Sequence, residues 1–209
     1  MLQVVKSALD AKRIILASGS PRRKDILNQV GLKYEVLPST FEENLNPNDY
    51  SHPYEFATDT AYHKAREVFN RTSRDEIKPD LVIGMDTVVV CDGKMFGKPR
   101  DTNDAFKMLK KLSGTSHEVY TGVVCLAPDR VIKFHERTEV VMAKVADEII
   151  EGYIKTGEPM DKAGGYGIQG LGGSLIEKID GDYYNVMGLP LHRLCVHMLN
   201  LYHSEGGGK

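Results

Sequence analysis

The chain has 209 residues, enough for a sizeable core in one large domain or two small ones. An apolar fraction of 41 % and a charged fraction of 27 % are those of a globular protein, and a net charge of −2 gives no overall basic field to hold nucleic acid or an anionic membrane. Three cysteines (Cys91, Cys125, Cys195) with no C-x-x-C pair argue against a disulfide framework or a zinc knuckle; with no signal-like or membrane-length apolar run either, the expected compartment is the reducing cytoplasm.

Residues 1–12 read as an N-terminal extension, 13–203 as one domain and 204–209, "SEGGGK", as a flexible tail or linker. "RIILAS" is a short β-branched run that ends in Ser-Gly-Ser-Pro, so a strand, a loop and a helix follow one another. That helix opens at Pro21, with Ser20 at the N-cap, and stops near Gly31. "KYEVLP" predicts a second strand, and a polar Asn- and Pro-rich connection leads to a long helix opening at Pro53. "DLVIGMDTVVVCDGKMFGKP" predicts two strands around an Asp92-Gly93 hairpin turn. "DTNDAFKMLKKLSG" is an amphipathic helix ending at Gly114, followed by two long β-rich segments, "HEVYTGVVCLAP" and "RVIKFHERTEVVMAKV". A short helix stopped at Gly157, a glycine-dense stretch, a strand and a closing amphipathic helix complete the chain. The expected fold is α/β: an elongated mixed sheet with flanking helices and two lobes around a cleft.

Arg22 and Arg23 place two cations in the first turn of the helix after Ser20, at the positive end of its dipole, where each costs about 0.3–1 kcal/mol unless an anion offsets it. Backbone N–H groups, the hydroxyls of Ser18 and Ser20 and two guanidinium forks make phosphate the natural anion; the alternative is a solvated basic face. Asp86 lies inside "LVIGMDTVVV", where a buried carboxylate is costly without a partner cation, either a metal ion or a lysine; the alternative is an edge strand with Asp86 turned to water. Lys98, across the hairpin, is within plausible reach, whereas Lys64, Glu42 and Glu43 taken singly are ordinary surface residues. If Glu43 converges with Asp86, the pair makes a hard, oxygen-rich site suited to Mg²⁺. "GGYGIQG" matches G-x-G-x-x-G without the strand before it and the helix after it, which rules out a dinucleotide fold. Its glycines suggest a tight loop in which Gln169 either reads a base edge or faces solvent.

Taken together, "ASGSPRR", "FEEN", "AYHKA", "GMDTVV", "GKPRD", "KLSGTSHEVYTGV" and "DKAGGYGIQGLGG" follow one another in the order and spacing of the Maf family of nucleoside triphosphate pyrophosphatases, which the chain resembles from about Ile14 to Leu201. It is also similar to the Maf-like N-terminal domain that some animal proteins carry before a methyltransferase-like domain, so such a domain beyond residue 209 is an expectation. The resemblance implies a fold like that of the inosine triphosphate pyrophosphatases, and hydrolysis of an acid anhydride, a nucleoside triphosphate giving the monophosphate and pyrophosphate. It implies that Ser18, Arg22 and Arg23 hold phosphates with Lys64 and Lys98. Glu43 and Asp86 would bind a divalent ion, Mg²⁺ or Mn²⁺, and activate water, with Asp86 the proton acceptor. Lys64 joins them as a catalytic residue, and Thr87 and Gln169 bear on substrate choice. The "GKPR" and "GGYGIQG" versions resemble the branch acting on dTTP and UTP, with modified pyrimidine nucleotides as further substrates, rather than the branch acting on 7-methyl-GTP. Likeness to the family also suggests a homodimer. The competing reading is a non-catalytic nucleotide-binding or regulatory interaction domain. No nucleic-acid or membrane partner is expected.

Overall fold

The computed structural model describes residues 1–203; the tail or linker expected at 204–209 lies outside them. A helical turn at Leu2–Val5 runs into α1 (Lys6–Asp10), then β1 (Ile14–Leu16), α2 (Pro21–Gln29) and β2 (Glu35–Val36). The long helix α3 (Pro53–Thr72) precedes β3 (Leu81–Cys91) and β4 (Lys94–Phe96). Next come α4 (Thr102–Leu112), β5 (Ser116–Leu126), β6 (Val131–Met142) and α5 (Asp147–Lys155). The last elements are β7 (Ile176–Asp180), the short α6 (Tyr183–Val186) and α7 (Leu191–His203). The chain is thus α/β, with one mixed sheet ordered β2-β1-β3-β5-β6-β7 and β4 paired to β3. β1 runs parallel to both its neighbours; the other pairings are antiparallel.

Period-two alternation divides the sheet's faces. On one face, Leu81, Ile83 and Met85 join an apolar cluster with α2, α7 and the N-terminal Leu2, Val5 and Leu9. Val89 and Cys91, further along the same face of β3, join a second cluster with α4, α5 and Phe96. These two clusters are the cores of two lobes. A buried polar seam runs between them: the Thr87 and Thr121 hydroxyls meet at 3.0 Å, Thr121 donates to the Asn185 carbonyl at 3.1 Å, and Asn185 Nδ2 donates to Val119 O and Thr138 Oγ1 at 3.0 Å each.

The opposite face is covered by α3. Its Ala57, Ala61, Ala65 and Val68 recur at helical spacing and are fully buried. The helix lies close because two strand positions lack side chains. A Cβ at Gly84 would meet Ala61 O and come within 2.8 Å of Ala65 Cβ, and one at Gly122 would strike the Ala57–Thr58 backbone. Gly84 therefore breaks the apolar run in sequence without breaking the strand.

The second predicted strand shrinks to two residues, Glu35 and Val36, both exposed. The Asp92-Gly93 turn is as expected, with both residues at positive φ (49° and 71°). Among the described residues no helix is long and apolar enough to cross a membrane.

Candidate active site

β3 is far longer than the partners on one of its sides. β1 pairs with it at residues 81–83 and β4 at 89–91, both on the side away from β5. Between them, at residues 84–88, this side of β3 faces neither strand. The chain leaving β1 turns away there through Ala17–Ser20 into α2, and a cleft of about 650 Å³ opens at the gap. Ser18, Arg22, Arg23, Glu43, Lys64, Asp86, Thr87, Lys98 and Gln169 all line it. Every site residue singled out in the sequence therefore faces one cavity.

The turn before α2 has the N-cap backbone expected of Ser20, but the Ser20 side chain makes no capping hydrogen bond. Instead Ser18 Oγ accepts from Ser20 N at 3.3 Å and from Arg23 Nη1 at 2.9 Å. Arg23 reaches under the turn to the open side of β3. It donates to Met85 O (3.2 Å), Thr87 Oγ1 (3.1 Å) and Gly188 O (2.8 Å). Met85 O lies two residues beyond Ile83 O, which Ala17 N still takes up, so Arg23 continues, with a side chain, the pairing that β1 abandons. Removal from water lowers the Arg23 pKa to about 10, against the pull of Asp86, and it remains a cation at neutral pH. Neither arginine is a solvated basic face: Arg22 Nη1 pairs with Asp161 Oδ2 at 3.0 Å.

Asp86 is not on an edge turned to water; only 13 % of its side chain is exposed. It points to α3, where Lys64 Nζ lies 2.8 Å from its Oδ1. Of the two cations the sequence allowed, metal or lysine, the protein itself supplies lysine, and it is Lys64 rather than Lys98. Lys64 is reached because Gly84 and, directly opposite Asp86, Gly122 let α3 approach. Its ammonium also meets Glu43 Oε1 at 2.9 Å. Burial pushes the Asp86 carboxyl above the usual aspartate range, with Glu43 adding to the push and Lys64 and Arg23 opposing it.

Glu43 comes from a long polar loop, and Glu67, one turn along α3 from Lys64, holds that loop down. Glu67 Oε2 accepts from Ser39 Oγ and Thr40 N at 3.0 Å each, while Arg71 donates to Pro38 O at 2.9 Å and the Phe41 and His63 rings stack at 4.9 Å. Glu67 was not visible in the sequence as part of the site; its only signal was its place one helical turn after Lys64. Glu42, the neighbour of Glu43, is exposed and does not line the cleft.

The far wall is the glycine-rich stretch, and one carboxylate organises it. Glu158 accepts from Leu171 N (2.9 Å), Gly172 N (3.0 Å) and the Tyr153 hydroxyl (2.9 Å), which in turn accepts from Gly167 N at 3.0 Å. A Cβ at Gly167, Gly170 or Gly172 would strike Lys162, Glu158 or Tyr153. The glycines are thus needed for close approach around Glu158, not for a dinucleotide, and Gln169 is held at the exposed tip. Sequence reasoning missed Glu158, Asp161 and Lys162.

Among the described residues, no three His, Cys, Asp or Glu side chains gather as a ready-made metal cage. Two carboxylates converging on one ammonium nevertheless mark a spot where positive charge is demanded. A hard ion that takes one or two carboxylates and completes its shell with water and phosphate oxygens fits that donor set.

The fold and the cleft define an α/β protein whose site lies at a gap in its sheet, where a strand-turn-helix rich in cations meets a Glu–Lys–Asp triad. The family profile described as Maf-like protein matches residues 13–201, and the chain belongs to that family. A probable bifunctional dTTP/UTP pyrophosphatase/methyltransferase protein of Homo sapiens is 46 % identical in an alignment that covers 92 % of this chain but 32 % of that protein, so the chain spans about a third of its length. A dTTP/UTP pyrophosphatase of Alkaliphilus metalliredigens is 49 % identical over 88 % of this chain and 93 % of that protein. One of Bacillus cereus is 44 % identical over 93 % and 92 % respectively.

Proposed function

We propose that the chain is a nucleoside triphosphate pyrophosphatase that hydrolyses dTTP and UTP, with modified pyrimidine nucleotides as further substrates, to the monophosphate and pyrophosphate. The observation that carries this reading is the Lys64 ammonium held between Glu43 and Asp86 at 2.9 and 2.8 Å, in the cleft that the Ser18–Arg23 turn also lines. Relatives of similar length named for this activity support it.

In this reading Glu43 and Asp86 would hold Mg²⁺ or Mn²⁺ together with the substrate's phosphate oxygens. The bound ion adds Lewis-acid charge at those oxygens. Asp86, its carboxyl made more basic by burial, takes a proton from the attacking water as the water oxygen bonds to the α-phosphorus. The bond from that phosphorus to the bridging oxygen breaks, and pyrophosphate leaves with the electron pair. Arg22, Lys64 and Lys98 neutralise the charge that develops on it. Arg23 contributes charge more than hydrogen bonds, since four of its donor contacts go to the protein itself. Ser18 and the neighbouring backbone N–H groups orient phosphate, and Thr87 and Gln169 act on substrate choice from opposite walls. No covalent nucleophile is required, and the three cysteines are free and buried, which fits a cytoplasmic enzyme.

The test is a nucleotide panel with Mg²⁺ or Mn²⁺, reading pyrophosphate and monophosphate. Turnover of dTTP and UTP is expected. Binding without turnover of any pyrimidine triphosphate would replace this reading with that of a nucleotide-binding domain.

A further inference from the structure

Among the described residues that line the cleft, Asp161 is the one carboxylate outside the Glu–Lys–Asp triad. Asp161 ends the helical turn Glu158–Asp161 that precedes the glycine-rich wall. Its Oδ2 accepts from Arg22 Nη1 at 3.0 Å, its Oδ1 from Lys162 Nζ at 2.6 Å, and its backbone carbonyl from Arg22 Nη2 at 3.4 Å. Arg22 stands in the first turn of α2, an element of the first lobe's core, and Asp161 borders the wall of the other lobe. One side chain therefore links the two sides of the cleft and answers two of the cations that line it. It is also the anion that makes a cation at the positive end of α2 tolerable when no ligand is present.

Arg22, Asp161 and Lys162 all line the cleft, and the two cations are largely enclosed, with 20 % and 12 % of their side chains exposed. Burial works against the charge on Asp161, but hydrogen bonds from Lys162 and Arg22 hold its carboxyl below the ordinary aspartate range. It is thus an anion throughout the neutral range. A polyphosphate entering here would bring several negative charges to the same two cations and to the edge of the same carboxylate.

We propose that Asp161 is an internal counter-anion which the polyphosphate displaces. It holds Arg22 and Lys162 in place in the empty cleft, yields them to phosphate oxygens on binding and takes them back as pyrophosphate leaves. This inference rests on the reading that the cleft takes a polyphosphate. Its chemical consequence is that Asp161 weakens the binding of substrate and product alike. Interactions that bind both equally do not speed the chemical step, and tight retention of pyrophosphate would slow turnover. A competing carboxylate at the exit sets that balance. Lys162 Nζ also donates to Glu158 O at 2.6 Å, so neutralising Asp161 leaves this lysine anchored and available.

A purely architectural Asp161 makes the opposite prediction: loosening the contact between lobes would weaken binding. Calorimetric titration with inorganic pyrophosphate separates the two, and it needs no turnover. Asp161→Asn is expected to bind pyrophosphate three- to tenfold more tightly than the unaltered chain. Asp161→Glu, which restores the charge, is expected to stay within about twofold of it, and the gain is expected to shrink when Arg22→Ala is already present. Thermal midpoints establish that each variant is folded. Unchanged or weaker pyrophosphate binding by Asp161→Asn, with measurable binding by the unaltered chain, overturns the counter-anion and leaves the reading of the cleft standing. No pyrophosphate binding by any of the proteins overturns the reading of the cleft and this inference with it.

Discussion

Gly84→Ala tests the packing on which the site depends. A Cβ there would meet Ala61 O and lie 2.8 Å from Ala65 Cβ and 2.9 Å from Ala65 N, and two of these three contacts are with helix backbone that no rotamer change can move. Relief requires α3 to retreat from β3 by about 1 Å, which overpacking studies put at about 1–3 kcal/mol and sometimes more. Alanine recovers about 0.5–1 kcal/mol of the entropy that glycine loses in a strand. With rigid neighbours the net cost is about 2 kcal/mol, or a thermal midpoint lower by about 4–8 °C for a domain of this size. Because Lys64 sits on α3 between Ala61 and Ala65, the same retreat moves its ammonium away from Asp86. A displacement of about 1 Å at such a site costs about 10²-fold in turnover. The assay is thermal unfolding followed by circular dichroism, paired with steady-state kinetics on dTTP. Gly152→Ala in α5 is the control: a Cβ there meets nothing within 4 Å, so it should raise the midpoint by about 1–4 °C through helix propensity alone. A Gly84→Ala midpoint within 2 °C of the parent, with turnover intact, would refute the claim that this glycine sets the helix-to-sheet distance.

Asp86→Asn should lower turnover at least about 10²-fold, the low end for loss of a general base, without lowering the thermal midpoint. Since burial makes the folded carboxyl take up a proton more readily than the unfolded one, its charged form costs stability above the folded pKa and nothing below the unfolded value; a clear loss of stability in the variant would contradict this. His117 works in the other direction: it is buried with its Nε2 2.8 Å from the Tyr166 hydroxyl, and burial lowers its pKa from 6.5 to about 4. Its contribution is fully present above pH 6.5 and is lost as pH falls toward 4, by about 3 kcal/mol in all. Urea midpoints for His117→Gln should therefore fall less steeply over that window, and parallel slopes would exclude this histidine as the cause. Glu158→Ala strips the acceptor from Leu171 N, Gly172 N and Tyr153, which should cost about 2–3 kcal/mol and speed amide exchange across residues 167–173. Unaltered exchange there would show that the glycine-rich wall does not depend on this carboxylate.

What was legible in the sequence, and what was not, follows from the range of each interaction. Strands and helices that end in local chemistry could be read directly: Pro21 and Pro53 at helix starts, Asp92-Gly93 at the hairpin, Gly114 and Gly157 at helix ends. Asp86 could be singled out because a carboxylate within an apolar strand poses an electrostatic problem whatever surrounds it. Its solution could not be read, since Lys64 is 22 residues away and reaches Asp86 only because Gly84 and Gly122 remove two side chains from between helix and sheet. In sequence those glycines look like interruptions of a strand, and only the packing turns them into its purpose. Glu67 and Glu158 were invisible for a related reason. Each is an ordinary acidic residue in composition and acts by accepting backbone N–H groups from a distant loop, a role that leaves no periodicity and no motif. Arg22 and Arg23 show both sides. Their adjacency at a helix start announced an anion, yet they part company in the fold, Arg23 to the unpaired side of β3 and Arg22 to Asp161. The charge pattern along a chain can thus show that a counter-charge is needed, while the sheet's gap decides that Arg23 is taken up by the protein's own acceptors and Arg22 by Asp161.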